Sequence, residues 1–192
     1  MRTGRFLCVA FLTIACMGCQ MVLVQRQIGT PVKENLSERL DGVWKYADDI
    51  FYVKADSNGV LNVAGVEWHN RKFVIRDTSC FVTKVGDWEY LNLPLPADSL
   101  GRRSFLFAPF IEDRDGNAIT AFMPSEEFFK IAMIKKELDM DTTSSGVLEP
   151  IPVDEQARGF FGKRTIEIVR SSEAYILTRV HKGEIDVAWP TH

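Results

Sequence analysis

The chain has 192 residues, of which 46% are hydrophobic and 26% are charged. This length and composition are typical of one globular domain that can enclose a core without disulfide bonds. The 23 Lys and Arg residues against 26 Asp and Glu residues give a formal net charge of −3. Because nucleic-acid-binding domains normally gather an excess of basic residues on one face, this balance argues against a nucleic-acid partner.

Residues 1–18 have the features of an export signal. Arg2 and Arg5 precede an uncharged, apolar stretch from Phe6 to Met17. A basic start followed by about 7–15 apolar residues is typical of a secretory signal peptide, and it is shorter than the roughly 20 residues that span a bilayer. We therefore expect residues 1–18 to be removed from the mature protein.

The apolar stretch ends in Cys16-Met17-Gly18-Cys19. These residues resemble the lipobox of bacterial lipoproteins, in which a small residue precedes a cysteine that is diacylated and becomes the mature N-terminus. The family pattern favours Leu three residues before that cysteine and Ala or Ser two before it, where this chain has Cys16 and Met17. The resemblance implies lipidation at Cys19, by fatty acids such as palmitate, with Cys16 as the alternative. A plain secretory signal or an uncleaved anchor is the other interpretation.

Gln20 follows the predicted lipidation site. By analogy with lipoprotein sorting in Gram-negative cells, a residue other than Asp here implies transfer to the outer membrane, facing the periplasm. Each buried acyl methylene contributes about 0.8 kcal/mol, so several chains on one N-terminus form a stable anchor. We therefore expect the protein to be in the cell envelope, with the membrane as its partner through the N-terminal lipid.

The mature chain is expected to have two parts. Residues 19–35 lack sustained periodicity, and we interpret them as a lipidated N-terminus and tether, although the apolar run Met21–Val24 also suits contact with the membrane or the domain. Residues 36–192 show the pattern of one β-rich domain. Besides Cys19 the mature chain has only Cys80, which excludes an intramolecular disulfide and a redox pair and is expected to be a buried thiol.

Short alternating segments separated by turn residues dominate the domain. Residues 50–54 and 60–68 flank the turn 56–59, which predicts a hairpin, and residues 105–112 and 118–123 predict a second hairpin around 113–117. Further strands are predicted at 72–77, 80–85, 88–93, 164–170 and 185–189.

Helical signals come late in the chain. Acidic residues after Ser125 and a basic pair at 135–136 predict an apolar helix packed on the sheet. A last helix is predicted from Ser171 to Lys182, and the intervening stretch 139–162 predicts a mobile loop. The predicted fold is mainly β: an antiparallel meander forming a barrel or half-barrel, with one or two short covering helices.

The first predicted strand opens on Asp41-Gly42-Val43-Trp44. It resembles the Gly-X-Trp element that starts the first strand of lipocalins, and the resemblance covers these residues together with the meander. It implies a barrel-like lipoprotein and identifies no ligand. The helix after Pro124 departs from a simple eight-stranded order.

No metal site or cofactor is expected from the sequence. His69, His181 and His192 do not lie at metal-ligand spacing, and we interpret His69 as an exposed loop residue and His181 as the end of the last helix. The neighbouring acids Asp48 and Asp49 are interpreted as a solvated pair.

Catalytic and calcium-binding motifs are also lacking. Residues 113–117 are similar in composition to a calcium loop, but the position of its bidentate Glu falls on Phe122, so a hairpin turn explains them better. The serine-hydrolase pattern Gly-X-Ser-X-Gly does not occur. We therefore expect no catalytic residues and no enzymatic activity.

Aromatic residues, at 11% of the chain, are the remaining signal. Trp44, Trp68 and Trp88 lie at or near predicted strands, where they either fill a barrel core or line a pocket for an apolar ligand. We expect an envelope lipoprotein that binds a hydrophobic or lipid ligand in its barrel. The alternatives are an interaction module with a filled core that contacts another envelope protein, and an envelope hydrolase.

The lipidation site is tested by Cys19→Ala. We expect this change to abolish acylation and leave the precursor unprocessed or the domain soluble, as measured by mass spectrometry of the mature N-terminus. Cys16→Ala is the matched control and should be acylated normally. If Cys19→Ala retained acyl chains, the modified residue would be Cys16 or another residue.

Overall fold

The computed structural model describes residues 22–47, 49–69, 72–98, 101–140, 142 and 148–181. The predicted signal peptide, Cys19, Asp48, His192 and the strand predicted at 185–189 lie outside these residues. Three helices are described: α1 (Leu36–Leu40), α2 (Glu126–Ile134) and α3 (Glu155–Ser171). The strands are β1 (Leu23–Val24), β2 (Thr30–Pro31), β3 (Gly42–Tyr46), β4 (Asp49–Ala55), β5 (Val60–His69), β6 (Lys72–Val85), β7 (Trp88–Pro94), β8 (Phe105–Glu112), β9 (Ala118–Met123) and β10 (Glu173–Arg179).

Strands β3 to β10 form a closed antiparallel barrel. Each strand pairs with the next along the chain, and β10 pairs with β3 to close the cylinder. The two-residue period decides which side chains face the enclosed space, which we call the lumen. On β4, for example, Phe51 and Val53 are buried inside, whereas Ile50 and Tyr52 are exposed outside. The predicted fold class, a mainly β meander barrel with few helices, is confirmed.

Both predicted hairpins are present, and an aspartate organises each turn. The Asp56 carboxylate accepts the backbone N–H of Val60 at 3.0 Å between β4 and β5. Between β8 and β9, Asp113 accepts the N–H groups of Asn117 at 2.7 Å and Ala118 at 3.0 Å. Asp113 therefore acts as a turn residue, as the sequence predicts.

In the last third of the chain, three predictions of secondary structure are wrong. Residues 173–179 form β10 rather than a helix, so His181 follows a strand. Residues 155–171 form helix α3, where the sequence predicts part of a mobile loop and then a strand. Asp154 caps this helix by accepting the N–H of Ala157 at 2.8 Å. The helix buries Phe161, Thr165 and Ile168, which lie on one face at helical spacing.

Residues 22–35, interpreted from the sequence as a tether, pack on the outside of the barrel. β1 pairs with the start of β8 and β2 with the end of β6, so the segment crosses the outer face of β7. The N–H of Ile28 donates to the Asn92 side chain at 2.9 Å, and the Thr83 hydroxyl donates to the Ile28 carbonyl. Gly29 has φ +81°, and a Cβ there would lie 2.4 Å from the Lys84 carbonyl oxygen, so the crossing requires glycine.

The N-terminal segment, α2 and α3 enclose a second hydrophobic core against the outer face of β7 and β8, which we call the outer core. Outward-facing Tyr90 and Phe107 are fully buried there. The Phe161 ring meets the rings of Phe107 and Phe160 edge to face, at centroid distances of 5.3 and 5.7 Å. The Tyr90 hydroxyl lies 2.7 Å from the hydroxyl of Thr165, which joins the barrel to α3.

Because of Tyr90, the stability of the fold is expected to decrease at alkaline pH. Burial raises the pKa of Tyr90 to about 12 from its ordinary 10.0, although the hydrogen bond with Thr165 opposes the shift. Because the unfolded chain ionises first, the stabilisation present below pH 10 is lost as the pH rises towards 12, by up to about 2–3 kcal/mol.

We expect Tyr90→Phe to remove this part of the alkaline loss, measured by urea unfolding between pH 9 and pH 11. The control is Tyr52→Phe, because Tyr52 is exposed on the outer face of β4. An equally steep alkaline loss in Tyr90→Phe and the unmodified protein would contradict the assignment.

Candidate functional site

The lumen contains an apolar cavity of about 100 Å³. Its walls are mostly inward-facing side chains of the barrel strands, and most of them are hydrocarbon. Pockets for whole drug-sized ligands measure about 300–1,000 Å³, and an engineered cavity of about 150 Å³ in another protein holds benzene. The enclosed volume therefore suits the end of an apolar chain rather than a complete lipid.

Helix α1 closes one end of the barrel, which we call the floor. Its residues Leu36 and Leu40 are buried in the lumen core, and Trp44 lies directly above them on β3. The Trp44 indole N–H donates to the Leu40 carbonyl at 2.9 Å. Trp44 is the first of the three tryptophans for which the sequence predicts a place in the core or a pocket. It is therefore both a cavity wall and part of the floor.

Arg179, which faces inward from β10, fastens the floor. Its guanidinium carbon lies 4.6 Å from the centroid of the Trp44 ring. The same group donates to the carbonyls of Gly116 at 2.9 Å and Asp41 at 2.8 Å, and to that of Arg39. Since the last carbonyls of a helix have no partner within the helix, one cation here satisfies the end of α1 and ties it to the β8–β9 turn.

A second arginine closes the floor from α1 itself. Arg39 donates to both oxygens of Glu89, at 2.6 and 3.1 Å, and also binds Glu112, at 3.1 Å from its Nε. The hydrogen bonds that Arg39 donates to Glu89 raise the pKa of Arg39 above its ordinary value despite the opposing effect of burial, and Glu112 adds to the rise. Both carboxylates are thus occupied in holding α1 over the ends of β7 and β8.

Asp41 fixes the junction between α1 and β3. Its carboxylate accepts the N–H of Ala55 at 2.7 Å and pairs with Lys54. Burial acts to raise the pKa of Asp41, but the hydrogen bonds from Lys54 and Ala55 outweigh it and lower the pKa below its usual range.

The opposite end of the barrel, which we call the mouth, is less protected. The cavity residues near it, Tyr46, Val63, Leu93 and Tyr175, are only half-buried. The rings of Tyr46 and Tyr175 lie beside each other, with 5.7 Å between centroids. Burial raises the pKa of the Tyr46 phenol, and the negative charges of Glu173 and Asp49 raise it further.

On strand β7 the side chains that face the lumen are less buried than those on the outer face of the barrel. Its outward-facing residues Tyr90 and Asn92 have no exposed surface, whereas its inward-facing residues Leu91 and Leu93 are half-buried. In a filled barrel the inward side chains are the more protected set. Here apolar side chains inside the lumen keep accessible surface beside the cavity.

The three predicted tryptophans occupy different places. Trp44 lines the lumen, and Trp88 is half-buried against the outer core. Trp68 belongs to β5, but its side chain lies outside the described part of the structure, as does that of His69. Cys80 is buried and lines the cavity.

Sequence reasoning missed the charged residues of the floor. Glu89 lies two residues before Leu91 on β7, and Arg179 lies two residues after Leu177 on β10. Such residues can be identified as charged residues near a strand end that lie two positions from an inward-facing apolar residue, because side chains two positions apart share a face. Their partner Arg39 is not recognisable in this way, because it lies on a helix.

Two observations concern only the part of the chain that the structure describes. No group of three or more His, Cys, Asp and Glu side chains there is placed to hold a metal ion. No helix in that part of the chain is both long enough and apolar enough to span a membrane.

Comparison with known proteins gives no significant match to a protein-family model, to a curated protein or to a solved structure.

Proposed function

We propose that this protein is an envelope lipoprotein, anchored in the outer membrane through acyl chains on Cys19, whose barrel binds the apolar end of a hydrophobic molecule such as an acyl chain. The observation that carries the ligand proposal is the half-buried, inward-facing pair Leu91 and Leu93 on a strand whose outer face is fully covered. The lipobox-like sequence before Cys19 supports the anchor.

The cavity favours an apolar ligand for a simple physical reason. Side chains that line an unfilled volume lack dispersion contacts on one side, and a hydrocarbon chain supplies these contacts while it leaves water. The enclosed 100 Å³ takes the end of such a chain. The rest of the ligand extends through the mouth past Tyr46 and Tyr175.

The other two functions receive less support. In an interaction module with a filled core, apolar side chains inside the barrel are inaccessible, whereas Leu93 is partly accessible. A hydrolase requires titratable groups gathered in the cavity, and in the described lumen Glu89 and Glu112 are engaged by Arg39 at the floor. We therefore propose that binding occurs without catalysis.

The proposal is tested with the chain from Gln20 to His192, which keeps every described residue, purified without detergent. We expect saturable fluorescence enhancement with dansyl-undecanoic acid and its displacement by decanoate. Val63→Phe places a ring in the lumen and should weaken probe binding at least tenfold. The matched control is Ala64→Phe, because Ala64 is the next residue on β5 and faces outward; it should bind within twofold of the unmodified chain.

Two results would contradict the proposal. Absence of saturable probe binding by the unmodified chain would indicate a filled barrel that acts through its surface. Equal binding by Val63→Phe, once thermal unfolding shows that this variant is folded, would place the probe outside the lumen.

A further inference from the structure

The main-chain pairing of the barrel wall is interrupted between β6 and β7 near the mouth. The ladder between these strands has five pairs and ends at Phe81↔Asn92. β6 continues beyond Phe81 and pairs with β5 as far as Lys72, and β7 continues to Pro94, paired with β8. Among the described residues, no strand pairs with β6 on the side of β7 between Lys72 and Cys80. We call the line along which these two strand ends are unpaired the seam.

Pro94 explains why the ladder ends where it does. It lies opposite Phe105 on β8 although proline has no N–H, so the hydrogen bonds around that pair are donated by neighbouring residues. Because the main chain of a strand turns to alternate sides at successive residues, Pro94 itself faces β6. Continuation of the β6–β7 register would place it opposite Ser79, where the next hydrogen bond requires the missing N–H. The seam is therefore a consequence of proline at this position.

The lumen cavity reaches the seam. Thr78 and Cys80 face inward from the unpaired part of β6, and Leu93 faces inward from the end of β7; all three line the cavity. Thr78 and Leu93 are half-buried. Side chains of the cavity wall therefore keep accessible surface at the seam.

A second proline interrupts the pairing of β8 with β9, but this place is covered. The ladder ends at Phe110, and the next residue, Pro109, has no N–H to continue it. Pro109 is buried, and Phe107 beside it lies in the outer core under α2. At the floor end of the seam, in contrast, the outward-facing Phe81 meets the ring of Phe105 with 6.3 Å between centroids, and both rings are only half-buried. The two interruptions share a cause and differ in their cover.

The seam offers a hydrocarbon chain a way through the wall without the loss of main-chain hydrogen bonds. Passage between two paired strands would leave N–H and C=O groups without partners against an apolar chain, which is unfavourable. No ladder pair of the described strands has to break at the seam. From Phe81 to Thr78 it runs about 10 Å, at about 3.3 Å per residue, and it continues into the mouth.

We propose that the hydrophobic ligand enters and leaves the lumen sideways through the seam, while its polar end stays outside the barrel. This inference rests on the proposed function, because it assigns the route by which the same cavity is loaded. End-on entry exposes the whole chain to water before any of it is bound. Sideways entry lets each methylene move directly from its source onto the cavity wall, and exposure of methylenes to water is what opposes transfer.

A disulfide across the seam tests this route with one substitution. In the continued register residue 93 is opposite Cys80, and opposed residues of closed antiparallel strands have Cα atoms about 4.5–5.5 Å apart, within the range of about 4.4–6.8 Å that a disulfide spans. We therefore expect Leu93→Cys, in the chain from Gln20 to His192, to form an intramolecular disulfide with Cys80 on oxidation, as verified by intact mass and loss of free thiols. In stopped-flow measurements, association and dissociation of dansyl-undecanoic acid should be at least tenfold slower in the oxidised form. The matched control is the same protein reduced with dithiothreitol.

Pro94→Ala tests the same route without a thiol. This change restores the missing N–H, so the ladder can extend to Ser79, and dissociation of the probe should slow at least threefold. The matched control is Pro109→Ala, because Pro109 lies beneath the outer core at the covered interruption. Its probe kinetics should stay within twofold of those of the unmodified chain.

The results separate this inference from the proposed function. Equal probe kinetics in the oxidised and reduced forms would indicate end-on entry past Tyr46 and Tyr175 and would overturn the seam inference alone. Equal slowing in Pro94→Ala and Pro109→Ala would indicate a general stiffening of the barrel and would also overturn it. Absence of saturable probe binding by the unmodified chain would instead overturn the proposed function.

Discussion

The contact between α3 and the outer face of β7 and β8 determines how the barrel can use its interior. Phe107, Phe160 and Phe161 pack edge to face there, and the Tyr90 hydroxyl meets Thr165 within the same apolar layer. A small eight-stranded barrel commonly obtains its core from side chains that fill its interior. This chain builds a second core outside, which supplies hydrophobic burial that the lumen does not have to provide. The lumen retains unfilled volume of about 100 Å³.

The two ends of the barrel differ in chemistry. At the floor, Arg39 and Arg179 satisfy carboxylates and helix carbonyls, so charged groups serve to close the cylinder. At the mouth, the cavity is lined by tyrosine and aliphatic side chains that remain half-buried. A molecule that enters from the mouth thus meets apolar walls first and charged residues last. This polarity is consistent with the proposed binding of a chain end and gives the charged residues a structural role.

Much of the barrel was predictable because its signals are local. The turn residues Asp56 and Asp113 and the alternation along β4 predict the hairpins, and the Gly42-X-Trp44 element correctly predicts where the first barrel strand begins. Helix α3 was not predictable in the same way. Ile166 and Ile168 alternate with polar neighbours as in a strand, but only Ile168 is buried, because contacts with the barrel select a helical face.

The parts of the site that the sequence does not predict depend on distant contacts. The pairing of Leu23 with Leu106 joins segments with no local signal for each other, and it turns an apparent tether into a cover for β7. Likewise, the volume left in the lumen depends on how rings from several strands pack. Trp44 was recognisable as an aromatic residue at a strand, but its contact with Arg179 follows only from closure of the barrel between β3 and β10.

Accessibility of Cys80 tests most directly whether the lumen is open to a ligand, because this thiol lines the cavity and is the only cysteine between Gln20 and His192. The measurement is the rate of modification of the folded chain from Gln20 by methyl methanethiosulfonate, compared with the rate of global unfolding. If the lumen is open, modification proceeds well above the unfolding rate and decanoate protects the thiol. Modification that proceeds only at the unfolding rate, with no effect of decanoate, would contradict an open lumen.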